Sequence, residues 1–72
     1  MKYIVVVCHE IEMAVMFDEI IDHSTVAKSF PKVVSAGKCN TKGEAYGHSV
    51  SLSIKSRPED TAIIQDSLHR TI

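Results

Sequence analysis

Tyr3, Ile4, Val5, Val6, Val7 and Cys8 follow one another without an interposed charge or amide. A strand with one wet face alternates apolar and polar side chains, so this run predicts a strand covered on both faces. Directly after it, Met13, Met16, Phe17, Ile20 and Ile21 recur at three- and four-residue spacing, with Glu12, Asp18, Glu19 and Asp22 largely off that stripe. The spacing predicts an amphipathic first helix between Glu10 and Asp22, with Glu10 and Glu12 in the first turn, where the macrodipole favours carboxylates. A strand alternating through Ile11, Met13, Val15 and Phe17 competes, but it leaves Met16, Ile20 and Ile21 unexplained. His23-Ser24-Thr25 weakens any continuation, and Phe30-Pro31 ends it, because a residue before proline is pushed out of the α region.

Val33, Val34 and Ala36 then mark a second strand over 32–39, followed by Asn40-Thr41-Lys42-Gly43, good chemistry for a hairpin loop with glycine at positive φ. Beyond it, Tyr46, His48, Val50, Leu52 and Ile54 alternate with Gly47, Ser49, Ser51, Ser53 and Lys55, the cleanest two-residue period in the chain and a predicted third strand. Ser56-Arg57-Pro58-Glu59 reads as a capping box with proline in the first turn, opening a second helix. Ile64, Leu68 and Ile72 give that helix its apolar stripe, and His69 and Arg70 lie near its C-terminal end.

The predicted order is strand, helix, strand, strand, helix, a small α+β two-layer sandwich forming a single domain over 1–72. A right-handed crossover through the first helix sets the first two strands parallel, with room for the third between them. This layout resembles a ferredoxin-like fold that lacks its last strand. The resemblance implies a free edge on the first strand, and an edge so apolar invites a second copy of the chain. A homodimer interface through Tyr3, Val5 and Val7 is therefore expected, with cover by the C-terminal residues His69 to Ile72, or by a loop, as the alternative.

At 72 residues the chain sits near the lower size limit for an unstapled core. Two cysteines make no disulfide framework, and the short apolar run after Met1-Lys2 suits neither export nor a membrane span, so a cytoplasmic protein with reduced thiols is expected. The formal net charge of −1 and a pI near 6.4 argue against a general coat for nucleic acid. Charge is nevertheless segregated. Five acids lie between Glu10 and Asp22 without a Lys or Arg, and Lys28, Lys32, Lys38 and Lys42 follow with no acid between them. That basic segment, with Lys55, is the candidate nucleic-acid surface. The serine face of the third strand is a weaker one, since RNA-binding sheets stack bases on aromatics and only Tyr3 and Tyr46 are at hand.

Cys8-His9 at a strand end before a helix is the one cluster with nucleophile chemistry, because a helix N-terminus lowers a thiol pKa. The two cysteines and His9, His23, His48 and His69 show neither C-x-x-C nor H-x-x-x-H spacing, so no metal is expected. Gly37, Gly43 and Gly47 form no phosphate loop, and no cofactor is expected. These features point to a non-enzymatic protein-interaction or regulatory module acting as a homodimer. A nucleic-acid binder using Lys28 to Lys42 is the first alternative, and a thiol enzyme using Cys8 and His9 the second.

Overall fold

The computed structural model describes residues 1–70. The first strand forms as expected, β1 (Lys2–Cys8), but the chain then turns back on itself instead of entering a helix. His9 and Glu10 both adopt left-handed backbone, φ 51° and 67°, and the two-residue turn launches β2 (Ile11–Phe17) antiparallel to β1 from Cys8↔Ile11 to Lys2↔Phe17. The expected first helix is thereby overturned. Ala14 and Met16 pack on one side of the sheet and Val15 and Phe17 on the other, so β2 uses both of its faces, whereas a helix would have offered one stripe. Ile20, which the helical spacing placed in the core, is 89% exposed.

Only α1 (His23–Ala27), a single short turn of helix, follows before Phe30-Pro31. β3 (Val33–Cys39) pairs with β1 antiparallel, not parallel, and a bulge between Val5 and Val6 shifts the register from Val5↔Ser35 to Val6↔Val33. The Asn40–Gly43 turn is as anticipated: Gly43 has φ 83° and its N–H donates to the Asn40 carbonyl at 3.0 Å. It returns the chain as β4 (Ala45–Tyr46), paired with Lys38 and Cys39.

The long third strand does not form. Gly47, at φ 74°, turns the chain away after β4, and β5 (His48–Ser49) and β6 (Ile54–Lys55) make a small separate hairpin. Between them Ser53 N–H donates to the Val50 carbonyl and Leu52 N–H to Ser49 Oγ. A serine side chain that satisfies nearby backbone, as Ser49 Oγ does for Leu52, competes with a sheet ladder. The sheet order is β2-β1-β3-β4, a curled antiparallel sheet, and a ferredoxin-like strand-helix-strand-strand-helix layout is excluded.

The two-sided cover required of β1 is present. Tyr3 and Val5 point to α2 (Asp60–Arg70), packing with Cys39 and Ile64, while Ile4 and Val6 point to the other face with Ala36, under Val26, Phe30, Leu52 and Ile54. Each such fully buried side chain contributes about 1.5–3 kcal/mol. The edge on which the dimer interface was placed does not exist, because β1 lies between β2 and β3. Tyr3 and Val5 are wholly buried inside the chain, and Val7 is half-buried with its N–H on the Lys32 carbonyl.

The true edge strands are met by α2. A two-residue turn makes Cys8–Ile11 a hydrogen-bonded pair, so the backbone groups of Ala14 point away from β1. Ala14 N–H donates to Ser67 Oγ at 3.2 Å, and Ala45 N–H on β4 donates to Thr61 Oγ1 at 3.0 Å. One helix thus supplies acceptors to both rims of the sheet. Thr71 and Ile72, part of the proposed C-terminal cover, lie outside the described residues.

Candidate functional site

Two groups of polar side chains stand out, on opposite faces of the sheet. The first is centred on Asp60, the opening residue of α2, whose side chain is fully buried. Its Oδ2 accepts from the Tyr3 hydroxyl at 2.5 Å and from the Arg57 backbone N–H at 2.9 Å. Its Oδ1 accepts from Ser35 Oγ at 2.9 Å and from Arg57 Nε at 3.0 Å. The reach back to Arg57 is the second half of a capping box, made one residue later than Ser56 and Glu59 suggested. Ser56 instead donates its hydroxyl to the Gly47 carbonyl. Arg57 continues outward as a fork onto Glu12 of β2, at 2.8 and 3.4 Å.

Burial, and then the hydrogen bond to Asp60 and its charge, push the Tyr3 phenol far above its ordinary value, so it holds its proton and acts as a donor. The Arg57 fork holds Glu12 below the usual carboxylate range, and Glu12 in turn raises Arg57. Among the described residues no buried side-chain nitrogen or oxygen lacks a partner. The cluster is a tie between α2, β1, β3 and β2, in which one guanidinium is shared by two carboxylates and neutral hydroxyls supply the remaining side-chain donors.

The second group lines an open cleft of about 370 Å³ under the β5–β6 hairpin. Lys2 and Lys38 are direct cross-strand partners of β1 and β3 on the face away from α2, and both line the cleft with Asp22, His48 and Ser51. The Lys2 ammonium donates to the Ile21 carbonyl at 3.0 Å, and Lys38 has no ion-pair partner among the described residues. His23, also at the cleft, is buried edge-on to Phe17 at 5.4 Å. Its Nε2 lies 2.8 Å from the Gly37 carbonyl, which can only accept, so Nε2 carries the proton. His48 and Val50 also line a neighbouring cavity of about 430 Å³ that includes Ser53 and Lys55.

The residues singled out in the sequence are scattered. Cys8 is exposed at the end of β1 and His9 sits in the hairpin turn, which leads into β2 and not into a helix. Cys39 is buried at the other end of β3, where burial pushes its thiol up, and both cysteines are free. Lys32 precedes β3 and Lys42 follows it, about 20 Å apart at the rise of a strand. Lys28 lies at the end of α1, so of the basic segment only Lys38 reaches the cleft. Lys2, Asp60, Arg57, His23 and His48 were not anticipated as site residues. The Lys2–Lys38 pairing needs the β1–β3 register, which no local pattern encodes.

Among the described residues no three His, Cys, Asp or Glu side chains come together as a metal-holding group, and no helix is long and apolar enough to cross a membrane. Comparison with protein-family models, curated proteins and solved structures found no match to this chain.

Proposed function

We propose that this chain is a small non-enzymatic interaction module that works as a homodimer in the cytoplasm. The observation that supports the reading is an incomplete cover over one face of the sheet. Val15 and Phe17 of β2 are packed beneath the elements on that face, whereas Ile11 and Met13, on the same face and nearer the β1–β2 turn, are 51% and 40% exposed beside Cys8. A twofold arrangement would bury this apolar end against its own copy by packing sheet face on sheet face. A net charge of −1 offers little long-range repulsion between two copies. The surface differs from the one first expected, because Tyr3 and Val5 are already used within the chain. Reduced Cys8 and Cys39 suit a cytoplasmic setting.

Sedimentation equilibrium on the wild type and on the Ile11→Lys/Met13→Lys variant tests this, with circular dichroism as the check of folding. The expected result is a wild-type dimer and a folded monomeric variant. A wild type that stays monomeric up to millimolar concentration, or a variant that still dimerises, would remove the reading.

A further inference from the structure

We propose that the Lys2–Lys38 cleft binds a phosphate group, carried by a small monoester or free in solution. The inference does not rest on the homodimer, whose surface lies at the opposite end of β1, about 20 Å away by strand rise. Three observations carry it.

The first is the pairing itself. Lys2 and Lys38 face each other across the β1–β3 ladder, and like charges placed directly opposite in a sheet destabilise it. Arg57, half-buried, meets Asp60 and Glu12, whereas Lys2 is half-buried and Lys38 exposed, with no opposite charge on either among the described residues. Here the ammoniums meet a neutral carbonyl, that of Ile21, and solvent.

The second is the company the lysines keep. One Lys2 donor is taken by Ile21, which leaves two, and Lys38 brings three. His48 and Ser51 line the same cleft and carry hydrogen-bonding groups suited to oxyanion oxygens, the Ser51 hydroxyl also lying 3.4 Å from Ser49 Oγ. Asp22 is the only acid among the described lining residues, exposed and without a cap bond to α1; it opposes an anion, one carboxylate against two lysines.

The third is the space. A cleft of about 370 Å³ is at the small end of ligand sites. Past His48 and Val50 it adjoins the 430 Å³ cavity with Ser53 and Lys55, and Val50, 81% exposed, presents an apolar surface at the junction. A phosphate between the two lysines could thus carry a small organic group lying along Val50.

Isothermal titration at constant ionic strength tests this with inorganic phosphate, phenyl phosphate and benzoate, on the wild type, Lys38→Met, Asp22→Asn and Lys28→Met. Phenyl phosphate is expected to bind, with affinity at least tenfold lower in Lys38→Met, higher in Asp22→Asn and unchanged in Lys28→Met. Tighter binding of phenyl phosphate than of inorganic phosphate assigns a monoester, and equal binding of the two assigns free phosphate. Without ligand, Lys38→Met is expected to melt a few degrees higher, because the like-charge pair is gone. Lys2→Met provides an independent second loss of the pair. Failure of both phosphates to bind the wild type, binding undiminished in Lys38→Met and Lys2→Met, or benzoate binding as well as phenyl phosphate would overturn the proposal.

Discussion

The Asp60 carboxylate and the Lys2–Lys38 pair lie on opposite faces of one small sheet and are treated in opposite ways. Asp60 is fully buried, and its two oxygens receive Tyr3, Ser35 and both the backbone and the guanidinium of Arg57. The lysines are placed side by side at a cleft, with a neutral carbonyl on Lys2 and, among the described residues, no carboxylate within ion-pair distance of either. Charge satisfied within the chain fixes architecture, since removing a partner leaves a buried group without one. Two ammoniums at a concave surface whose lining holds a single carboxylate among the described residues, Asp22, leave positive charge available to something outside the chain. The difference separates the part of this molecule that builds it from the part that can recognise a ligand.

The largest expected effect comes from the buried side of the comparison. Asp60→Asn leaves Arg57 facing a neutral amide and puts amide hydrogens among donors, which is expected to destabilise by about 3–5 kcal/mol in urea unfolding. Tyr3→Phe removes one of the donors and is expected to cost about 1–2 kcal/mol. Its pH dependence is the sharper readout. The Tyr3 phenol titrates higher folded than its ordinary value of 10.0, so its contribution is complete below about pH 10 and declines as pH rises beyond it. Wild-type Tm should fall on that alkaline side, and Tyr3→Phe should fall less.

On the open side the sign reverses. Lys38→Glu converts a like-charge cross-strand pair into an opposite one and is expected to stabilise by about 0.5–1 kcal/mol in low salt, the gain shrinking as salt is added. The smallest effect belongs to the exposed end of the Asp60 cluster. Glu12 is held below its ordinary value of 4.5 by the Arg57 fork, so its stabilisation is present above about pH 4.5 and is lost as pH falls further. Glu12→Gln should flatten that acid limb while changing neutral-pH stability little, as thermal melts across pH 3–7 would show.

How far the sequence foretold this follows from where the deciding information lies. The unbroken apolar run of β1 announced cover on both faces, and the structure supplies it with α2 on one side and α1 with the β5–β6 hairpin on the other. The second helix was signalled by Pro58 and the acids around it, and Gly43 by its place in an Asn-Thr-Lys-Gly loop. The first hairpin was hidden because its turn is His9-Glu10, two residues that rarely take left-handed backbone, where Asn-Gly is usual. With that turn unseen, Met13, Met16, Phe17, Ile20 and Ile21 looked like a helical stripe, although Ile11 to Phe17 alternates equally well as a strand. The third strand failed for a different reason: its period was real, but Gly47 and the local bonds of Ser49 and Ser53 fold it back as a hairpin.

The candidate site was still less legible. Lys38 was named as part of a basic run, but the run is divided between the two ends of β3. Its partner Lys2 lies 36 positions earlier, brought beside it by strand register alone. Cys8 and His9 were conspicuous in the sequence because they are adjacent there, and the fold gives them only a turn at the surface.

The most direct test measures unfolding free energy against phenyl phosphate concentration for the wild type, Tyr3→Phe and Lys38→Met. The wild type should gain stability as ligand rises, following the linkage of binding to folding. Tyr3→Phe should start lower and gain equally, and Lys38→Met should start no lower and gain little. A Tyr3→Phe protein that loses the response, with Lys38→Met retaining it, would contradict the division between a hydrogen-bonded interior and an open binding cleft.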